Sequence, residues 1–499
     1  MARIAMIGAG MGAMAAAARL AVAGHRVAVY ERTRTYGGAL RRFERDGFSF
    51  DTGPGLLPLP AVWRDLFVKT GKEPLESCVE LLQVDPSSRH VFADGTDVSL
   101  PNASRAGVVA SLDAALGPTA GQRWGDFLVR ARETWDRTRR PLLEEPLWPN
   151  WEVLADREPY PAVPHKRLLR TRRAGTLADI GAWELRDPRL AALLESHALA
   201  YGLDPRTAPA NAAVLPYMEY AFGMWYVRGG GLRELARAVY ERCLARRVEF
   251  HFDAEVTGIV EKDGRVAGVE LTEGALAEAE FVVAGVAPGV LDRLCGGSVV
   301  RGGGEVPPQR GAASRVTVLL ALRGGRPEGA AHRTVVHAPD REAELEALFG
   351  SAAGMAARPT VTVLRPDDPA LVPDSGHEAV TLTSVVPAGG VADAGDHAER
   401  LLDVAERAIP DLRDRLLWHE VRTPADVAAV TGVADGAVPV PALAGAGGQL
   451  LHPANGTRMG GLFTVGGWSH PGGGLPHAGM SGALVAGLIV EGPEFRGSQ

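Results

Sequence analysis

Residues 3–31 constrain this chain more than any other stretch. An apolar run, Arg3–Ile7, leads into Gly8-Ala-Gly10-Met-Gly12, an alanine-rich segment to Ala23, and a second apolar run, Arg26–Tyr30, that ends on Glu31. Hydropathy alone would take Ile4–Gly24, whose one charge is Arg19, for a signal segment or a short membrane span. The spaced glycines and the second β-like run argue instead for strand, glycine turn, helix, strand. Such a unit binds a dinucleotide for physical reasons. Gly8 allows the tight turn, Gly10 lets backbone approach a pyrophosphate, and Ala13 holds the third fingerprint position, with Gly12 beside it. The helix start offers free N–H groups and a positive dipole end to phosphate. Glu31, at the end of the second strand, can accept hydrogen bonds from ribose hydroxyls.

This pattern alone does not choose between NAD and FAD. The residues that follow do. Arg32 comes first, then Tyr36-Gly37-Gly38-Ala-Leu-Arg41-Arg42, then Asp46–Asp51 and Thr52-Gly53-Pro54. An NAD domain would normally enter a helix here, whereas an extended glycine segment with arginines suits a chain running along a longer dinucleotide. Near the other end, residues 461–486 read GLFTVGGWSHPGGGLPHAGMSGALVA. There a short strand, Leu462–Val465, opens into Gly466-Gly467. The side-chain-poor stretch Pro471–Pro476 precedes an apolar helix, Met480–Ile489. Backbone at Gly466, Gly467, Gly474 and Leu475 can meet a polar aromatic ring, and a helix N-terminus can stabilise negative charge there.

On these motifs, together with residues 85–95, Trp225–Val239 and Val248–Val256, the chain resembles the flavin-dependent phytoene-desaturase-like family within the wider amine-oxidase-type flavoproteins. The resemblance implies FAD, bound non-covalently, and hydride transfer to flavin N5. It implies an α/β fold in which a discontinuous Rossmann-like FAD-binding domain (1–100, 222–300 and 430–499) interleaves with an α+β substrate domain (101–221 and 301–429) that can carry a helical lid. It assigns backbone contacts with adenine to the position of Val256, and places Trp225, Tyr226 and Arg228 at the junction of the two domains as pocket-lining residues. Arg228 could bind a carboxylate or simply pair with an acidic neighbour. The family often has Asn-Ala-Asp where this chain has Gly285-Val-Ala-Pro288, a departure that sets it apart from carotenoid desaturases proper.

His470 and His477 flank the glycine run and are the candidates for proton work. Each has an equally good reading as a hydrogen-bonded structural histidine. Three substrate classes follow: a carotenoid or other isoprenoid that is desaturated or isomerised, a natural-product intermediate, and an amine oxidised at C–N. A non-catalytic binding protein on the same fold is the remaining alternative, disfavoured because Gly8, Gly10, Glu31 and Gly472–Gly474 are all present. The electron acceptor is left open among oxygen, a quinone and nicotinamide.

Composition removes other classes. The 499 residues carry a net charge of −7, so no basic surface calls for nucleic acid. Three scattered cysteines, Cys78, Cys243 and Cys295, make neither a zinc site nor a disulfide framework and fit a reducing, cytoplasmic setting. Segment 101–221 holds five of the nine tryptophans and the basic run His165–Arg173. That combination marks either a core with a solvated basic face or peripheral contact with the inner membrane face.

Overall fold

Five short strands form a parallel sheet in the order Glu249–His251, Arg26–Tyr30, Arg3–Ile7, Phe281–Ala284, Leu462–Thr464. The central strand explains the order, because Ile4, Ala5, Met6 and Ile7 are all buried and such a strand must be covered on both faces. Helix Met11–Val22 covers one face, and the C-terminal helix Leu475–Val490 packs along it. Small residues make that contact: a Cβ at Gly482 would lie 2.6 Å from the Gly12 carbonyl oxygen and 2.8 Å from Ala15 Cβ. The alanine-rich run therefore serves helix–helix approach, with Ala13 through Ala18 buried. The C-terminal helix begins at Leu475, earlier than the sequence pattern indicates, with Pro476 in its first turn where a missing N–H costs nothing.

This computed structural model describes residues 1–164, 171–299, 313–350, 354–388 and 390–497. A second sheet has seven mainly antiparallel strands in the order Leu416–Arg422, Ala313–Arg323, His377–Pro387, Val361–Leu364, Arg333–Val336, Ser88–Val91, Asp97–Leu100. Helix Ala394–Ala405 covers one face, where Val316, Val318, Val380 and Leu382 meet Leu401 and Leu402. The hairpin 88–100 joins this sheet through parallel pairing of Ser88–Val91 with Arg333–Val336, although the expected domain boundary at residue 100 groups it with the dinucleotide-binding segments. Long-range pairing of that kind leaves no trace in local sequence.

Segment 101–221 is helical. Helices Arg105–Leu116, Ala120–Arg139, Pro188–Leu199 and Val214–Phe222 share one apolar core. Trp124 and Trp135 lie inside it, Trp148 and Trp151 pack on a neighbouring cluster with Leu154, and Trp183 is half-buried with the Arg172 guanidinium 3.1 Å from its ring centroid. The tryptophans thus fill cores rather than mark a surface. Residues 165–170 of the basic run lie outside the described residues. Among the described residues no helix is long and apolar enough to cross a membrane.

Candidate functional site

The N-terminal glycine turn is built as an open cradle. Gly8 has φ +90°, which only glycine adopts cheaply. Its N–H donates to the Tyr30 carbonyl at 2.8 Å, closing the turn across two strands. Gly10 caps helix Met11–Val22 without any side-chain hydrogen bond, and the first turn carries no acidic residue. The helix's leading N–H groups are therefore available to an anion. A Cβ built on Gly10 meets nothing within 4 Å, so this glycine faces open space. Gly12 differs: its Cβ would lie 2.9 Å from the Ala478 carbonyl oxygen and 3.0 Å from Gly466 Cα, so it packs the two glycine segments together. Ala13 is buried and abuts Gly285, whose own Cβ would come within 3.3 Å of it. The sequence departure at Gly285 is thus used for close packing beneath the loop.

Glu31 ties this end down. It accepts from Ala9 N–H at 2.8 Å through one oxygen and from the N–H and hydroxyl of Thr33 at 2.9 and 2.7 Å through the other. The segment preceding Val256 lies alongside, with Glu31 N–H donating to the His251 carbonyl and Ala254 N–H to that of Glu31. Val256 itself is buried. Arg41 reaches the Gly38 carbonyl at 2.8 Å and the Thr33 hydroxyl at 2.9 Å, while burial draws its pKa downward. Gly37 pairs with Gly10 as an isolated parallel bridge, which sets Gly38 against the first turn. Arg32 leaves the cradle: it donates at 2.8 and 3.0 Å to the carbonyls of Ala429 and Val430, at the end of helix Pro424–Thr431. A cation completes a helix C-terminus there, so Arg32 has a structural employment the sequence did not show.

Thr52 and Gly53 stand where the chain re-enters. The Thr52 hydroxyl accepts from Arg41 N–H at 3.2 Å, and Gly53 N–H donates to Asp51 at 2.8 Å. Asp51 also accepts from Leu232 N–H at the start of helix Leu232–Ala245, and burial pushes its carboxyl up to about 6. Nothing in the local sequence around Asp51 announces this capping role, since Leu232 lies 181 positions away.

The C-terminal glycine segment is built differently. Gly466 faces open space, and its N–H donates to Ser481 at 3.0 Å. Asn455 fixes that arrangement by donating to the Thr464 and His470 carbonyls and to Ser481. Gly467, Gly472 and Gly473, by contrast, are covered by residues 439–442: Gly473 N–H donates to the Val440 carbonyl at 2.7 Å, and Ala442 N–H to the Pro471 carbonyl at 2.9 Å. Close approach at Gly467 therefore admits Pro439 rather than a ring. Gly474 caps the C-terminal helix with no side-chain bond, and Leu475 begins it, half-buried.

The two histidines separate. His470 is fully buried, and its Nε2–H donates to the Glu145 carbonyl at 2.9 Å, a tie between the helical segment and the glycine run. Burial lowers its pKa to about 4. One ring nitrogen is thereby spent on a structural tie, while Nδ1, like that of His477, has no hydrogen-bond partner. His477 lines a small cleft with Trp135, Leu142, Val214, Leu215 and Met218. Its Nδ1 has no hydrogen-bond partner, and burial lowers its pKa to about 3, so it presents a neutral imidazole. Of the two histidines, His477 is the one that lines this cleft.

The residues expected to line the pocket do not reach that cleft. Tyr226 is 2% exposed and donates to Asp368 at 2.8 Å. The same Asp368 oxygen accepts from Gly229 and Gly230 N–H, so it pins the glycine junction from the other domain. No local motif announces Asp368. Arg228 pairs with Glu80 at 3.1 Å on the surface, the acidic-neighbour alternative. Trp225 donates to the Phe222 carbonyl at 3.0 Å beneath the Arg64 guanidinium. Strand pairing explains all three, since Trp225–Arg228 is held between Leu57–Pro58 and Glu80–Gln83.

Comparison with known proteins agrees with this construction. Residues 14–490 match the flavin containing amine oxidoreductase family. The chain is 30% identical over 98% of both chains to a 4,4'-diapolycopene oxygenase of a Methylomonas species, and 28% identical over 98% of itself and 97% of the relative to a hydroxyneurosporene desaturase of Rhodobacter capsulatus. In fold it is similar to an oxidoreductase from Methanosarcina mazei, with a TM-score of 0.64 at 17% identity, covering 97% of this chain and 99% of that one. A long dinucleotide suits the open positions at Gly10 and Gly466, each beside an uncapped helix start. The chain belongs to the flavin containing amine oxidoreductase family, in its phytoene-desaturase-like branch, and is an FAD-dependent oxidoreductase.

Proposed function

We propose that this enzyme dehydrogenates an apolar isoprenoid of the carotenoid type. The observation that carries the reading is the lining of the cleft at His477. Seven of its ten lining residues are apolar: Trp135, Leu142, Val214, Leu215, Met218, Pro441 and Ala442. Burial of hydrocarbon against such a wall contributes about 25 cal/mol per Å² and excludes water from the reacting bond. Its charged member is Arg139, and no acidic side chain is among the described lining residues, which disfavours an ammonium substrate. His477 stays neutral and can accept one proton as a weak base, which is enough for a polyene.

Bound FAD supplies the hydride acceptor. In this reading Gly8, Gly10, Ala13 and the helix start after them hold its pyrophosphate, Glu31 its ribose, and Gly466 with Gly474 the ring end. Gly12 acts through packing. We further assign transient bilayer contact to segment 101–221, supported by the basic run His165–Arg173. Anaerobic mixing of the holoenzyme with hydroxyneurosporene or phytoene in anionic liposomes tests both parts. The expected result is bleaching of the flavin band near ~450 nm and co-sedimentation of protein with the vesicles. A flavin that stays oxidised with every polyene would sink the first, and protein left in the supernatant the second.

A further inference from the structure

The seven-stranded sheet keeps accessible polar side chains on a face that lies inside the protein. Successive side chains on a strand point to opposite faces. On Ala313–Arg323 and His377–Pro387, Val316, Val318, Val380 and Leu382 are wholly buried under helix Ala394–Ala405, while Arg315, Thr317, Thr381, Thr383 and Val385 are half-buried on the other side. Thr317 sits directly across from Thr383, and Thr383 from Thr362, so three hydroxyls form a rank across three strands. Both ends of this face are closed. Leu319, Ala321 and Ala379 meet Phe48 and Phe50 at one end, and Val385 meets Leu199, Leu345 and Leu348 at the other. The half-accessible threonines between two packed clusters show that this part of the face is left uncovered.

That face reaches the glycine run through Tyr201. Gly202 packs on Ala313, and a Cβ on Gly474 would lie 3.7 Å from the Tyr201 hydroxyl. The hydroxyl makes no hydrogen bond among the described residues. Beside it stands Arg315. Its guanidinium donates to the Ala200 carbonyl and, among the described residues, pairs with no carboxylate. Two other arginines at this sheet are compensated: Arg333, on the same face, meets Glu219 through two N–H groups, and Arg365 meets Glu378 at 2.7 and 3.0 Å. A guanidinium held inside a protein without a counter-charge is costly unless something else supplies one.

We infer that Arg315, Tyr201 and the rank Thr317–Thr383–Thr362 form a subsite for an oxygen acceptor, a carbonyl or carboxylate, borne at one end of the otherwise apolar substrate. The inference rests on the isoprenoid reading. Arg315 and Tyr201 each donate a hydrogen bond to that oxygen. Anchoring one terminus fixes how far the polyene extends along the apolar cleft, and so which of its bonds lies beside the flavin end. Specificity for an oxygenated chain follows, because a hydrocarbon terminus would leave both donors unpaired.

The test is binding to the holoenzyme, read as a perturbation of flavin absorbance. The probes are all-trans-retinoic acid, all-trans-retinal and the C20 hydrocarbon polyene of the same length. The acid and aldehyde should bind about tenfold or more tighter than the hydrocarbon, since a charge-assisted hydrogen bond is gained. Which of the two binds tighter distinguishes a carboxylate from a carbonyl. Arg315→Leu and Tyr201→Phe should each erase most of the preference and leave hydrocarbon affinity unchanged. If Arg315→Leu loses its flavin, Tyr201→Phe, which removes one hydroxyl, decides the matter. Equal binding of all three probes by wild type, or a preference untouched in flavin-replete Tyr201→Phe, overturns the subsite alone. Failure of every probe to bind overturns the isoprenoid reading with it.

Discussion

The two glycine segments look alike in sequence and are built for opposite ends. At Gly8–Gly12 the loop stands open: Gly10 has no neighbour within 4 Å of where a Cβ would be, and the helix behind it lacks a side-chain cap. At Gly466–Gly474 the first glycine is open, but Gly467, Gly472 and Gly473 are filled by Pro439 and Val440 from another part of the chain. Glycine marks close approach of backbone to something, and only the surroundings say whether that is a ligand or the protein itself. The N-terminal segment leaves Gly10 and its helix start open. The C-terminal one is mostly a chain crossing that positions a single open glycine and a helix start.

Gly473→Ala strikes the crossing directly. The new Cβ would lie closer than 3.0 Å to the Pro439 carbonyl, and that atom is backbone, so neither side can turn away. Overpacking a rigid site typically costs ~1–3 kcal/mol, and a backbone-on-backbone clash belongs at or above the top of that range. We expect a large drop in urea midpoint and in flavin bound per chain. A variant with wild-type stability and flavin content would show that residues 439–442 are free to leave the glycine run.

Acid tests the same contrast less violently. His452, His470 and His477 surround the C-terminal segment, and burial lowers their pKa values to about 4, 4 and 3. In the unfolded chain they take protons below about 6.5, whereas in the fold they stay neutral until pH 3–4. The unfolded state therefore binds more protons in this window, and stability falls as pH drops from about 6.5 toward 4. At pH 5 the loss should be about 1–2 kcal/mol for each histidine. Asp51 works in the opposite sense: burial raises it to about 6, and protonation below that relieves part of its cost. Glu158, raised to about 7, joins Asp51, while His332, His337 and His397, lowered to about 4, 3 and 4, join the three histidines; the histidines outnumber the carboxylates, so Tm should fall between pH 7 and pH 5. Amide exchange should rise first in 466–490, with 8–22 protected longer. Uniform loss of protection would dissolve the distinction between the segments.

Local order was legible where local chemistry imposes it. The strand, turn, helix, strand and Glu31 pattern gave the parallel core and the cradle, since each piece has its own periodicity or cap. The hairpin at Lys262–Arg265 is local in the same way, because Asp263-Gly264 is a turn by itself. What stayed hidden depends on partners far along the chain. Tyr226 reads as a pocket aromatic until Asp368 reaches its hydroxyl across 142 positions. Arg32 reads as a dinucleotide contact until the end of helix Pro424–Thr431 claims it. The helix start at Leu475 is hidden in the sequence because two prolines and three glycines, between Pro471 and Pro476, precede or open it, and burial against Gly12 overrides their low helical propensity.

The smallest change in stability should come from Gly10→Ala, and that is its value. Gly10 has φ −72° and ψ 165°, a backbone conformation alanine adopts freely, and its Cβ would enter open space. In the flavin-free protein the substitution should shift the urea midpoint by no more than about 0.5 kcal/mol. If the open space is where the pyrophosphate lies, the methyl group stands between phosphate oxygens and the leading N–H groups of helix Met11–Val22. FAD affinity should then fall about tenfold or more, as expected when a charge-assisted hydrogen bond is lost. The stabilisation that FAD lends the protein should shrink with it. Titrating FAD into apoprotein, wild type against variant, measures both. An unchanged affinity would move the pyrophosphate elsewhere and reduce the N-terminal loop to a second chain crossing, removing the contrast with the C-terminal segment.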